Sequence, residues 1–405
     1  MLTSARLTQN YRLSLAFLDA FAALAPSPRA AAVFRTHETT KAFERRWQLS
    51  AFFHLRARET VMALERSLSD TAAMLPAAAV PGMAGFFHSA FAGLLHAFVQ
   101  PWRAVCHIEV LSAREWRLSL HVLSRYRTWL RHVLPEHEAP RDADASAPTS
   151  RTGTPGPSEP GLASDEVASL HTLVAYLADA LTFEARVRRV FHAWIVPKIV
   201  HGPRATSAEA GTVLDALTAA LDASLGVAEA LAPRIADEVL RVLCRRCAEP
   251  LRHVRAASSQ YRALSGPQAS STAMPEPSAY IAHVLLPLRQ ALGIEEGAAL
   301  PTPLRQLPVD VQQTWVANVV DSTVARYASA ADTVARNLES LRRLKRTTPG
   351  IATNDATDDA VYAQLRVDIA ALAADVDDLG RGAHLDLSTE TKAWRALRKS
   401  AGCLT

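Results

Sequence analysis

Residues 43–59 read Phe43-Glu44-Arg45-Arg46-Trp47-Gln48-Leu49-Ser50-Ala51-Phe52-Phe53-His54-Leu55-Arg56-Ala57-Arg58-Glu59, aromatics and arginines gathered in a chain otherwise dominated by alanine and leucine. The stretch has helical periodicity on both sides of a polar joint. Ser50 suits the N-cap of a new helix, and Phe53, Ala57, Val61, Leu64 and Leu68 then fall on one face at helical spacing, with Arg56, Glu59 and Arg66 left to water. Phe43 and Trp47, one turn apart, close the preceding turn against that helix. The reading is a packed helix junction and not a reaction site.

Composition extends this reading to the whole chain of 405 residues. It is 49% hydrophobic and 21% charged, which can support two or three domains with a large core. The apolar residues are chiefly Ala, Leu and Val, alternating strand-like runs are scarce, and there are only 16 glycines, so the expected fold class is all-α. Net charge is +4, with arginines spread along helix faces and a denser knot at Arg342, Arg343, Lys345 and Arg346. Solvated faces that snorkel over apolar neighbours account for them better than a phosphate-binding surface. The 4 cysteines are irregularly spaced and make no disulfide framework, which fits a reducing compartment. No run of eighteen uncharged apolar residues is present, so no bilayer span is expected. Leu13–Leu18 behind Arg6 and Arg12 has the look of a leader, but Asp19 interrupts it and an amphipathic helix fits as well.

Along the chain, residues 1–135 form a helical region with periodicity over about 3–25, 40–70, 84–98 and 112–134. In the last of these, Trp116, Leu120, Leu123, Leu130 and Leu134 make a stripe widened by Val122, Tyr126, Trp129 and Val133. Residues 136–164, rich in Pro, Ser, Thr, Gly and Asp, read as a disordered linker. Residues 165–405 form further bundles. Leu170, Leu173, Leu177, Leu181, Val187, Phe191 and Trp194 hold helical spacing up to Pro197. Helices around 208–230 and 234–262 follow, then one over 278–292 that Pro287 must kink or break. Val316, Val320, Val324, Tyr327, Ala331, Val334, Leu338 and Leu341 step by fours and threes as a heptad-like seam. A final strong helix opens at Asp355, Asp358 and Asp359, carries Val361, Leu365, Ile369, Leu372, Val376 and Leu379, and stops at Gly380 and Gly382. A weaker helix holds Trp394 and Leu397.

Chemistry-bearing patterns are sparse. Cys244-Arg245-Arg246-Cys247 is the one C-x-x-C, with His253 as the one candidate third ligand; both cysteines sit in a helical pattern and read as core or boundary thiols. The histidines show no metal spacing, and His54, His88, His96, His107 and His121 read as satisfied structural residues. Asp358-Asp359 and Asp375, Asp377 and Asp378 lack the glycine turn of a calcium loop. Phosphate-binding loops and nucleophile elbows are missing. We expect no enzyme, no catalytic, cofactor or metal site, and no cofactor.

Three segments nonetheless resemble one family, the C-terminal half of the second subunit of the conserved oligomeric Golgi complex. Trp47-Gln48-Leu49 with Phe52-Phe53 and Arg56-Ala57-Arg58-Glu59 is similar to the family's tryptophan, aromatic pair and arginine–glutamate pattern. Arg114-Glu115-Trp116-Arg117-Leu118-Ser119-Leu120 through Tyr126 is similar to its Trp-Arg-Leu-x-Leu helix. Ser340-Leu341-Arg342-Arg343-Leu344-Lys345-Arg346 with Thr347-Thr348-Pro349-Gly350 is the third, and across 165–300 the likeness thins to helix content, Tyr261 and Ser278-Ala279-Tyr280. The resemblance implies elongated antiparallel helical bundles of the tethering-complex rod type, broken by one disordered linker. It implies a non-enzymatic tether subunit in intra-Golgi retrograde transport and Golgi organisation, peripheral on the cytosolic face of Golgi membranes and in the cytoplasm. The implied partners are sister subunits and, through the complex, SNAREs, Rab GTPases and coiled-coil tethers, without nucleic acid. Such subunits normally begin with a heptad-rich half upstream, whereas this chain starts inside what would be their middle, as a fragment, a truncated gene model or a short isoform would. A generic helical scaffold or adaptor, or a basic helical nucleic-acid binder using the Arg342–Arg346 knot, are the alternatives.

Overall fold

The computed structural model describes residues 2–70, 85–134, 160–200, 210–254, 276–294, 302–347 and 355–402. The protein is all-α, and no strand occurs among the described residues. In chain order the helices are α1 (Leu2–Ala23), α2 (Pro28–Thr36), α3 (Glu38–Arg45), α4 (Leu49–Ser69), α5 (Ser89–Val99), α6 (Ser112–Val133), α7 (Pro160–Val190), α8 (Val196–Ile199), α9 (Ala210–Ser224), α10 (Val227–Ala248), α11 (Ile281–Val284), α12 (Leu286–Leu292), α13 (Pro303–Gln306), α14 (Val309–Thr347), α15 (Asp355–Ala383) and α16 (Lys392–Ser400). The expected linker falls on residues outside the described ones up to Pro160, where α7 begins.

The chain divides into two compact units, Met1–Pro157 with Asp179–Leu231, and Ser158–Ala178 with Ala232–Thr405. In the first unit α4, α5 and α6 pack together. Their core gathers Leu64, Phe91, Leu94, Phe98, Trp102, Leu123, Tyr126 and Phe183, all fully or almost fully buried. Edge-to-face rings bind it, with Phe91 lying 5.3 Å from Trp129 and 6.3 Å from Tyr126 and Phe183. The run through Phe191 and Trp194 does not stop at Pro197 as its spacing suggested: it widens into a π-turn over Phe191–Ile195 and continues as α8 with Pro197 in its first turn. Pro197 has no N–H and its ring presses on the carbonyl four residues back, and widening the turn relieves both.

In the second unit α16 packs along α14, with α15 alongside. The seam on α14 from Val316 to Leu338 is buried as the steps of three and four require, although Leu341, the last of the series, is exposed. Every member of the α15 stripe from Val361 to Leu379 is buried. Leu285 separates α11 from α12, which starts with Pro287 in its first turn, so the proline breaks the helix as foreseen.

Three local expectations are corrected. The fourth helix starts at Leu49, not after Ser50, because Gln48 takes a left-handed conformation (φ 43°) and redirects the chain. Phe43 is exposed, and Trp47 alone closes the turn, edge-on to Tyr11 at 5.6 Å. α15 runs past Gly380 and Gly382 to Ala383; His384 at φ 57° ends it, and the Leu385 N–H donates to the Gly380 carbonyl at 2.9 Å. Gly382 instead lets Ile294 approach, since an added Cβ would stand 2.9 Å from its Cγ2.

One helical run, Ala210–Arg252, is long and apolar enough by length and composition to cross a bilayer, which the sequence reading did not single out. Gly226 at φ +87° divides it into α9, too short to span, and α10, which carries Arg234, Asp237, Glu238 and Arg241.

Candidate functional site

The first two resembling segments meet. Ser50 Oγ accepts from Arg114 Nη1 at 2.8 Å, and Glu65 accepts a two-pronged contact from Arg125 at 2.6 and 2.7 Å, so α4 and α6 are tied at both ends. The Arg125 guanidinium holds the Glu65 carboxyl below its ordinary value. Between these ties, Trp47, Leu49, Phe52 and Phe53 pack against buried Tyr11, Ile108 and Leu111.

Beneath the junction lies Glu115, which is 1% exposed. His107 Nδ1 stands 2.6 Å from its Oε2, and Arg56 Nη1 lies 3.5 Å from its Oε1. Arg56 was expected in water. Its side chain is 12% exposed, and it donates to the Cys106 carbonyl at 2.8 Å, while Arg12 donates to the His107 carbonyl at 2.6 Å. Two helices thus grip the backbone of the Cys106–His107 turn with guanidinium groups. Lys198 donates to the Trp102 carbonyl, and burial pushes its amine down while the Glu115 charge opposes that shift. The Trp102 ring covers His107 at 5.5 Å, and its indole N–H donates to Ser119 Oγ at 2.9 Å. A His–Glu pair is an acid–base device only where a substrate can reach it. Here both partners are buried, and the neighbouring cavity of about 350 Å³ is lined by Tyr11, Leu15, Lys41, Glu44, Arg45, Leu49 and Val110, not by the pair.

Three more buried carboxylates do the work of distant helix caps. On α7, Asp179 accepts from the Phe87 and His88 backbone N–H groups, both at 2.8 Å, and lies 2.9 Å from His88 Nδ1, closing the start of α5. One turn on, Glu184 accepts from Gly226 N (2.9 Å), Ala228 N (3.1 Å) and Tyr126 Oη (3.0 Å), closing the start of α10. Burial beside Glu184 pushes the Tyr126 phenol well up. In the second unit Asp368 accepts from Ser278 N (2.8 Å), Ser278 Oγ (2.7 Å), Tyr280 Oη (2.9 Å) and Gln364 Nε2 (3.0 Å). Burial, with Tyr327 and Asp368 adjoining, drives the Tyr280 phenol far up. The Ser278-Ala279-Tyr280 segment of the resemblance is therefore held by α15.

The other candidates disperse. Cys247 is buried and its thiol is pushed up to about 12 by that burial, Cys244 is half-buried, and His253 is exposed. No group of three potential metal ligands occurs among the described residues. His54 and His121 are exposed and His96 half-buried, its imidazole pushed down by burial. Arg342 pairs with Asp359 at 2.9 Å and Arg343 with Glu339 at 2.6 Å; the side chains of Lys345 and Arg346 lie outside the described residues, as does Tyr261. Asp375 is paired with Arg289 and Asp378 with Arg381.

A family model described as "COG complex component, COG2, C-terminal" matches residues 45–369. Among curated proteins, conserved oligomeric Golgi complex subunit 2 of Homo sapiens is 24% identical over 400 residues, covering 92% of this chain and 50% of that protein. The chain thus spans about half the length of the curated relative it matches. No solved structure matches. The matched range takes in the α4–α6 junction and the Asp368 tie, while α1 and α2 precede it.

Proposed function

This chain belongs to the COG2 family of COG complex components, and from that premise we propose that it is a non-enzymatic subunit of the conserved oligomeric Golgi complex. In this role it supports vesicle tethering in intra-Golgi retrograde transport and the organisation of the Golgi, working peripherally from the cytosolic face. Its direct partners are sister subunits; SNAREs, Rab GTPases and coiled-coil tethers are met through the assembled complex.

The observation that carries the reading is the continuity of the family match from residue 45 to residue 369, through the junction helices and the long helices of the second unit. The side chains agree with it. Polar groups that an enzyme would present to a cleft are here turned inward, with Glu115, Asp179, Glu184 and Asp368 engaged by donors from distant helices. What remains outward is helix surface, including α14, whose 39 residues extend over about 58 Å. Helical sidewalls of that length suit lateral docking of partner helices.

The test is an affinity purification of the tagged chain from cells that contain the complex. Sister subunits recovered in salt-stable association support the proposal. A well-folded chain that returns none of them sinks it, and steep loss of nucleic-acid binding with salt would move the assignment to the arginine-knot alternative.

A further inference from the structure

Outside the family match, α1 and α2 pack against each other and leave an apolar face that is exposed among the described residues. Tyr11, Leu15 and Leu18 point to the packed side of α1. The opposite side carries Leu13, Phe17, Phe21 and, at the turn, Leu24, exposed by 61, 66, 52 and 81%, with Val33 of α2 at 58%. Phe21 joins the two helices, its ring 6.3 Å from Phe17 and 5.0 Å from Phe34. From Leu13 to Leu24 the stripe runs about 16 Å along the helix. An exposed apolar run of this kind marks a contact surface.

Charge decides what the surface fits. Residues 1–37 contain four arginines, one aspartate, no lysine and no glutamate. The aspartate, Asp19, lies on the other side of α1 and is already paired with Arg35. Arg6, which continues the apolar stripe towards the N-terminus of α1, and Arg29 at the start of α2 are exposed without an acidic partner among the described residues. Phenylalanine and leucine gathered near a turn, edged by cations with no free carboxylate, match an anionic bilayer interface: the rings enter the acyl boundary and the arginines remain among the headgroups.

We propose that the α1–α2 hairpin docks directly on anionic lipid surfaces, inserting Phe17, Phe21, Leu24 and Val33 at the headgroup boundary with Arg6 and Arg29 on the lipid phosphates. The proposal does not depend on assembly with other subunits, and protein-free vesicles keep the two separate.

The experiment is flotation of the full 405-residue chain with phosphatidylcholine vesicles that contain or lack about 30 mol% phosphatidylserine. The chain is expected to float with the anionic vesicles and to lose most of that binding between about 0.1 and 0.5 M salt. F17E/F21E, two exposed positions, should reduce partitioning at least about tenfold with helix content unchanged, and R6E/R29E should remove the preference for phosphatidylserine. A chain that stays unbound, or variants that float like the wild type, overturn the proposal. So does a dimer in light scattering that F17E/F21E disperses without any vesicle binding, since the face would then serve a protein contact.

Discussion

Glu184→Gln should destabilise the first unit by about 1–3 kcal/mol. The carboxylate accepts three buried donors, Tyr126 Oη and Ala228 N on Oε1 and Gly226 N on Oε2. An amide has only one accepting atom. With its NH₂ placed at the Oε2 position, the Gly226 N–H loses its partner and meets a donor; with the NH₂ at Oε1, the tyrosine hydroxyl can turn to accept, but the Ala228 N–H is orphaned. Either orientation leaves one backbone N–H unpaired in the interior, which costs about 1–3 kcal/mol. Loss of the negative charge at the start of α10 adds about 0.5–1 kcal/mol, and neutralising a buried carboxylate returns part of the sum. Tyr126→Phe removes only the phenolic bond and should cost about 1 kcal/mol. Urea unfolding gives the total, and hydrogen exchange at Gly226 and Ala228 locates it: both amides should lose protection in the glutamine variant and keep it in the phenylalanine variant. If Glu184→Gln unfolds within about 0.5 kcal/mol of the wild type with both amides still protected, the capping argument is wrong.

The remaining predictions concern titration, reactivity and packing. Tyr126 and Tyr280 have phenols raised above their ordinary value of 10.0 in the folded chain, so the unfolded state releases their protons first. Stability is therefore fully present below pH ~10 and falls above it, at about 1.4 kcal/mol per pH unit for each tyrosine; Tyr126→Phe and Tyr280→Phe should each flatten that slope in alkaline unfolding curves, and an unchanged slope would count against both assignments. Cys247, with its thiol pushed up to about 12, should be alkylated near pH 8 about a thousandfold more slowly than an unperturbed thiol. Mass-mapped labelling that finds Cys247 as reactive as Cys244 would contradict its burial. Gly93→Ala sets a methyl 2.2 Å from Ser67 Oγ and 2.6 Å from its Cβ, and the forced separation of α4 from α5 should cost about 1–3 kcal/mol in thermal unfolding.

The sequence carried the parts of this fold that depend on period. The α14 seam and the α15 stripe could be read off because each buried position lies three or four residues from the next, a relation contained within one helix. The break before Pro287 was readable for the same reason, since proline acts on its own turn, whereas at Pro197 a π-turn absorbed the missing N–H and the helix went on to Ile199. The buried acids were not readable, because their partners are distant: Asp179 is held by donors 91 and 92 residues away and Asp368 by donors 88 and 90 away. An acid in a helical pattern defaults to the solvent face. The local signal against that default is its place among core neighbours, with Asp368 one turn from Leu365 and Leu372, and Glu184 beside Phe183 and one turn from Val187. Arg56 misled in the same way, since its period put it at the edge of the stripe and only the folded turn at Cys106 supplied the acceptor.

These acids bear on a difficulty that the composition itself creates. Faces built mainly from Ala, Leu and Val are alike in shape, so many pairings of such helices bury comparable apolar area, and hydrophobic burial alone distinguishes them poorly. A carboxylate within such a face changes the comparison. In the observed pairing Asp179, Glu184 and Asp368 each find two backbone N–H groups or a backbone N–H with hydroxyls. In a slipped or exchanged pairing the same group stays buried without donors, a penalty that an equal apolar area does not offset. The three ties thus act on which helices meet more than on how tightly they hold. They also account for the unequal signals of the family's segments: Trp47 with Phe52 and Phe53, and Trp116 with Glu115, stand where two helices must find each other, and a junction needs unusual residues for that task without any chemistry at its surface.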